Sequence, residues 1–161
     1  MSQTALVVLV PEADAVAGEV RARYDRPGIP AHVTIMYPFL PGIPAADLAA
    51  LFTPFAAFDA TFPTFARRPG LLYLAPASPS PFEALTAAVT RRWPTAIPYG
   101  GRYPDPVPHL TIAQDQPDDT FTRIEESLGP RLPIESSVTE ITRVTFAAGT
   151  WHPDGTFPLN H

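Results

Sequence analysis

Apolar positions fall in short blocks, and the spacing within each block predicts its element. Thr4 to Val10 is a continuous β-branched and apolar run, the mark of a buried strand. Asp14 then offers an N-cap for a helix over about 15–25, which Pro27, Gly28 and Pro30 end. Ala31 to Tyr37 predicts a second strand, stopped by Pro38 and Pro41, and Ala45 to Phe55 a short helix. Thr61 to Ala66 and Leu71 to Leu74 read as paired strands around a turn at Arg67 to Gly70. A Pro/Ser connection leads to a helix from about Pro81 to Trp93. The segment from Thr95 to Pro108 is too broken by proline and glycine for a regular element, yet it delivers the strand His109 to Ala113. Asp118 or Asp119 caps a helix running through Leu128, which Gly129-Pro130 ends. Ser137 to Ala147 alternates as a long strand, and Pro153-Asp154-Gly155, between Trp151 and Phe157, predicts a hairpin turn.

Helices and strands in this order give an α+β fold. The two halves of the chain share one pattern, a His-x-Thr-Ile strand entered through a proline-rich approach. We therefore expect a bilobal molecule: two pseudo-symmetric antiparallel sheets flanking a central cleft, with helices on the outer faces. A length of 161 residues at 45% hydrophobic content closes one core, so residues 1–161 are expected to form a single domain. The 22 prolines keep elements short, because proline fixes φ and donates no backbone hydrogen bond.

Composition excludes several chemistries. With no cysteine there is no disulfide, thiolate metal site or cysteine nucleophile, and with no lysine there is no Schiff base, P-loop lysine or lysyl-nucleotide intermediate. A net charge of -5 argues against coating duplex nucleic acid, although a small or terminal phosphate still fits. The apolar run near the N-terminus is too short for a membrane span or a signal-peptide core. The expectation is a cytoplasmic monomer without membrane association.

The chemistry concentrates in His32-Val33-Thr34-Ile35 and His109-Leu110-Thr111-Ile112. Strand alternation turns each histidine and threonine to one side, about 6.6 Å apart, and the aliphatic residues to the other. If the two strands face each other, two imidazoles and two hydroxyls converge. Such a set suits a phosphodiester: one neutral imidazole takes a proton, the other, protonated, delivers one to the leaving oxygen, and the hydroxyls hold the phosphoryl oxygens. A non-catalytic nucleotide- or phosphate-binding module using the same cleft is the alternative. A zinc site falls short, since two histidines do not make the usual three protein ligands and no HExxH motif completes them; neither metal nor cofactor is expected.

These motifs, with Met36-Tyr37-Pro38-Phe39, Leu72-Tyr73-Leu74-Ala75-Pro76 and Tyr99-Gly100-Gly101-Arg102-Tyr103, resemble in order and spacing the 2H phosphoesterase superfamily, in its bacterial 2′-5′ RNA ligase-like branch. The resemblance covers nearly the whole chain. It implies a bilobal fold with both motifs lining the cleft, and metal-independent opening or forming of 2′,3′-cyclic or 2′-5′ phosphodiester linkages of nucleotides or RNA ends. By it, His32, Thr34, His109 and Thr111 form the catalytic set. The acidic, lysine-free composition favours a small nucleotide or ribose cyclic phosphate over an extended RNA strand.

Tyr37, Tyr99, Arg102 and Tyr103 are candidate substrate-binding residues, an arginine for phosphate and tyrosines for a base. Arg67 and Arg68 could face a phosphate, though a solvated turn is the simpler reading. Trp151 and His152 read as a packed hairpin and an exposed ring, and His161 as a frayed terminus.

Overall fold

A computed structural model describes residues 3–24, 28–102 and 106–160 of the chain. The elements run β1 (Gln3–Leu9), α1 (Asp14–Tyr24), β2 (His32–Phe39), α2 (Ala45–Phe52), β3 (Phe58–Phe62), β4 (Thr64–Arg68), β5 (Leu71–Ala75), α3 (Ser80–Arg92), β6 (Leu110–Gln114), α4 (Asp118–Leu128), β7 (Ile134–Val138), β8 (Glu140–Ala147) and β9 (Thr150–Pro158), with short 3-10 turns before α1, before β6 and after α4. The α+β class is as expected. Seven strands form one sheet in the order β4-β5-β6-β2-β1-β8-β9, and β3 pairs with β7 in a second sheet.

The order shows the duplication that the sequence hinted at. The series β1-α1-β2-α2-β3-β4 is repeated as β5-α3-β6-α4-β7-β8, with β9 appended. In the large sheet the two motif strands β6 and β2 are central, β5 and β1 flank them, and β4 and β8 lie outside those. Each repeat lends its last strand to the other, since β4 pairs with β5 and β8 with β1. The lobes are thus two groups of strands in one sheet, and among the described residues they meet at one registered pair, Val33 with Leu110. Helices cross between lobes: α1 packs against β6 and α3 against β2.

Burial explains why the elements form where they do. β1 is buried on both faces from Thr4 to Val8, as a continuous apolar run demands. In α4, Phe121, Ile124 and Leu128 line one buried stripe, while Asp118 and Asp119 sit in the first turn, where the helix dipole favours carboxylates. In α3, Arg91 and Arg92 occupy the last turn, where cations are favoured. The core joins both lobes, with Phe52, Phe62, Phe82 and Phe121 among its largest fully buried side chains.

Several local expectations give way. Asp14 is not a cap: it opens α1 after a 3-10 turn, and its carboxylate accepts the Ala31 N–H at 2.8 Å. Pro117 precedes α4 where an aspartate cap was expected, and α2 ends at Phe52 rather than Phe55. Pro38 does not stop β2, which continues through a cis Tyr37–Pro38 bond to Phe39. The stretch Thr61 to Ala66 belongs to two strands in different sheets, separated at Pro63, and Ser137 to Ala147 is likewise split at Thr139. The hairpin turn is Ala148-Gly149, a two-residue loop with positive φ at both positions (53° and 83°), which matches strand twist. Pro153-Asp154-Gly155 instead lies inside β9, at a register shift against β8.

Candidate active site

β2 and β6 present the two motifs. Val33 and Leu110, paired across the seam, are both 0% exposed, so their chain neighbours point to the opposite face. Extending that register one residue each way sets His32 opposite Thr111 and Thr34 opposite His109. All four are half-buried while the residues alternating with them are buried. The arrangement is reciprocal: each histidine faces the other motif's threonine.

Both imidazoles are held alike. Nδ1 of His32 lies 2.8 Å from the Pro30 carbonyl, and Nδ1 of His109 lies 2.8 Å from the Val107 carbonyl. A carbonyl only accepts, so each Nδ1 carries the hydrogen and Nε2 is the nitrogen whose protonation varies. The proline-rich approaches serve this directly. Pro30 has a fixed φ, Pro108 keeps Val107 extended, and each carbonyl is thereby presented two residues before its histidine. The clamp of Ala31 between the Asp14 carboxylate and the Val10 N–H, which donates to the Ala31 carbonyl at 2.8 Å, fixes the entry to β2.

Three cavities meet around the motifs. One of about 170 Å³ is lined by His32, Thr34, Tyr37, Tyr99 and Trp151, with Ala5 and Ile29. One of about 530 Å³ is lined by His109, Thr111, Tyr73, Arg68, Gln114 and Asp115, among others. The third, about 230 Å³, reaches Thr34, Glu83 and Thr86. Tyr99 borders all three. Its ring stacks on His109 with centroids 6.5 Å apart and lies 6.4 Å from Tyr37. Its backbone is left-handed, φ 53°, and Gly100 and Gly101 continue at positive φ, the turn that carries the ring over the cleft.

The electrostatics of His109 follow from this enclosure. Burial lowers its pKa below the ordinary 6.5, the Val107 carbonyl partly opposes that, and the nearby Arg68 guanidinium lowers it further. His109 is therefore held toward its neutral form.

With two HxT strands side by side, each histidine fixed through Nδ1, the fold and the motif agree with a comparison along the sequence. The family description "2′-5′ RNA ligase superfamily" matches residues 9–150. The chain belongs to this superfamily of 2H phosphoesterases. No curated protein matches the chain. Among solved structures, Escherichia coli LigT in apo form aligns with TM-score 0.65 at 19% identity, covering 99% of this chain and 98% of that one. LigT complexed with 3′-AMP aligns at 0.61 and 18% identity, covering 99% of each chain. TT0787 of Thermus thermophilus aligns at 0.57 and 18%, covering 97% of each. These likenesses place the 2H chain in the LigT-like fold.

Of the sequence-predicted residues, the structure brings His32, Thr34, His109, Thr111, Tyr37 and Tyr99 to this cleft. Arg102 is exposed and borders none of the three cavities. Tyr103 and His161 lie outside the described residues. The two arginines of the β4–β5 hairpin separate: Arg67 turns to α4, where Glu125 accepts from its Nε and Nη2 and Thr122 accepts at 3.0 Å, while Arg68 turns to the His109 cavity. Trp151 packs edge-on to Tyr37 and also lines the His32 cavity. Tyr73, edge-on to His109 at 5.6 Å, and Asp115 were not singled out from sequence. Tyr73 sits in an apolar strand that reads as core, and only the pairing of Tyr73 with Thr111 reveals its place. No helix among the described residues is long and apolar enough to cross a membrane, and no three His, Cys, Asp or Glu side chains among them group to hold a metal.

Proposed function

We propose that this 2H phosphoesterase opens 2′,3′-cyclic or 2′-5′ phosphodiester linkages of small nucleotides by two-histidine acid–base catalysis, the whole chain acting as one unit. The carrying observation is the Val33–Leu110 pairing of β2 and β6, whose register, extended by one residue each way, sets each histidine opposite the other motif's threonine. A phosphorus atom over that seam is flanked by both Nε2 atoms. His109, held toward its neutral form, takes the proton of the attacking water, and His32 delivers one to the leaving ribose oxygen. Thr34 and Thr111 donate to the non-bridging oxygens as charge builds there. The fixed Nδ1–H···O=C bonds keep both rings oriented through the cycle.

The test is turnover of a panel of 2′,3′-cyclic nucleotides and 2′-5′ dinucleotides in the presence of chelator, followed by chromatography. Replacing either histidine, His32→Ala or His109→Ala, is expected to cost about 10²- to 10⁴-fold in kcat. Thermal stabilisation by these nucleotides without turnover would instead identify a binding module.

A further inference from the structure

The two cavities beside the histidines differ in chemistry. On the His32 side the lining beyond His32 and Thr34 is aromatic and apolar, with Tyr37, Tyr99, Trp151, Ala5 and Ile29, and among the described residues it contains no carboxylate or guanidinium. On the His109 side lie Arg68, Gln114 and Asp115. Size differs too. A volume of 170 Å³ is below the roughly 300–1,000 Å³ that encloses a whole small molecule, whereas 530 Å³ is within it. The smaller cavity therefore suits one flat ring, and the larger a polar group of greater bulk.

Arg68 distinguishes that larger cavity. Among the described residues its guanidinium makes no ion pair, in contrast to Arg67, Arg131 and Arg143, each bound to a carboxylate. Strand alternation in β4 explains the split, since it gives Arg67 to the α4 face and Arg68 to the cleft. The Asp115 side chain borders the same cavity without pairing to Arg68, an acceptor suited to a sugar hydroxyl.

Resting on the two-histidine reading, we propose that Arg68 is a specificity-determining residue: the substrate carries, beyond the phosphodiester that reacts, a second phosphate that enters the His109-side cavity and meets this guanidinium. A fork of donors facing a cavity is the arrangement that recognises a phosphate in two-point contact.

The experiment compares kcat/KM for adenosine 2′,3′-cyclic phosphate with that for the same compound carrying a 5′-phosphate. Because each enzyme is compared with itself on two esters at one pH, any effect of Arg68 on the titration of His109 cancels from the ratio. The native chain is expected to prefer the 5′-phosphorylated ester by about tenfold or more, the loss expected when a charge-assisted contact is missing. Arg68→Gln is expected to bring the ratio to within about threefold of unity, Arg68→Lys to keep part of it, and Asp115→Asn to raise it. Circular dichroism verifies that each variant is folded. Equal rates on both esters, or a preference that survives Arg68→Gln, would overturn the assignment of Arg68 and leave the two-histidine chemistry standing. Turnover of neither ester by the native chain would overturn both.

Discussion

At the scale of single residues, the environment of His109 fixes the sign of two pH effects. With burial and Arg68 holding its pKa below 6.5, the base stays neutral into mildly acidic solution, so the acidic limb of kcat/KM is expected below pH 6.5. Arg68→Gln removes one of the lowering influences and is expected to move the acidic limb to higher pH on either ester. A limb that stays in place or moves down contradicts this. Stability follows the same linkage. Well above pH 6.5 the ring is neutral folded or unfolded, and His109 adds no pH dependence. As pH falls the unfolded chain takes the proton first, so folding is progressively disfavoured until the folded-state pKa is passed. Denaturant titrations of the native chain and His109→Gln between pH 5 and pH 8 are expected to show this loss only in the former. The threonines admit a sharper test of chemistry: Thr34→Val and Thr111→Val keep the shape and remove a donor, with an expected loss of about 10²-fold in kcat and a smaller change in KM.

Elements show where sequence signals compete. The hairpin β8–β9 contains two turn signals, and the stronger on composition, Pro-Asp-Gly, lost to Ala-Gly. The loop that closes a hairpin must match strand twist, and Ala148-Gly149 does so although alanine is a poor residue for positive φ. Gly155 is used differently, as the φ 113° residue of an irregularity, where an added Cβ would meet the Phe157 ring at 3.2 Å. Gly155→Ala is accordingly expected to destabilise by about 1–3 kcal/mol in urea unfolding, through backbone strain and that contact. Periodicity located most helices and strands because alternation and the helical stripe are local. It missed the breaks at Pro63 and Thr139 because a strand that changes sheets keeps its β pattern throughout, and only long-range pairing separates β3 from β4 and β7 from β8. The HxT motifs were legible for the converse reason: alternation alone turns histidine and threonine away from Val33 and Leu110. Arg68 and Trp151 were seen but not placed, since a turn arginine and a hairpin tryptophan announce nothing until a distant strand gives them a cavity to face.

On the scale of the whole molecule, a duplicated unit joined through a narrow seam makes the relative position of the two motifs depend on few contacts. Val33 and Leu110 form the registered pair between lobes, and both side chains are fully buried in the core that α1 and α3 cover from opposite repeats. Truncation at Leu110 should therefore act twice. It leaves a cavity worth about 2–5 kcal/mol, as for any buried leucine, and it loosens the one alignment that sets each histidine against the opposite threonine. Leu128, buried at the end of α4 and outside both motif strands, supplies the comparison, because its truncation makes a similar cavity without altering either residue of the registered pair. Measured at a temperature where both variants are fully folded, Leu110→Ala is expected to lose about tenfold or more in kcat/KM, while Leu128→Ala keeps native activity despite a comparable fall in stability. Equal losses in the two would mean that the lobes are aligned by the core as a whole, and that the seam has no special part in bringing the histidines together.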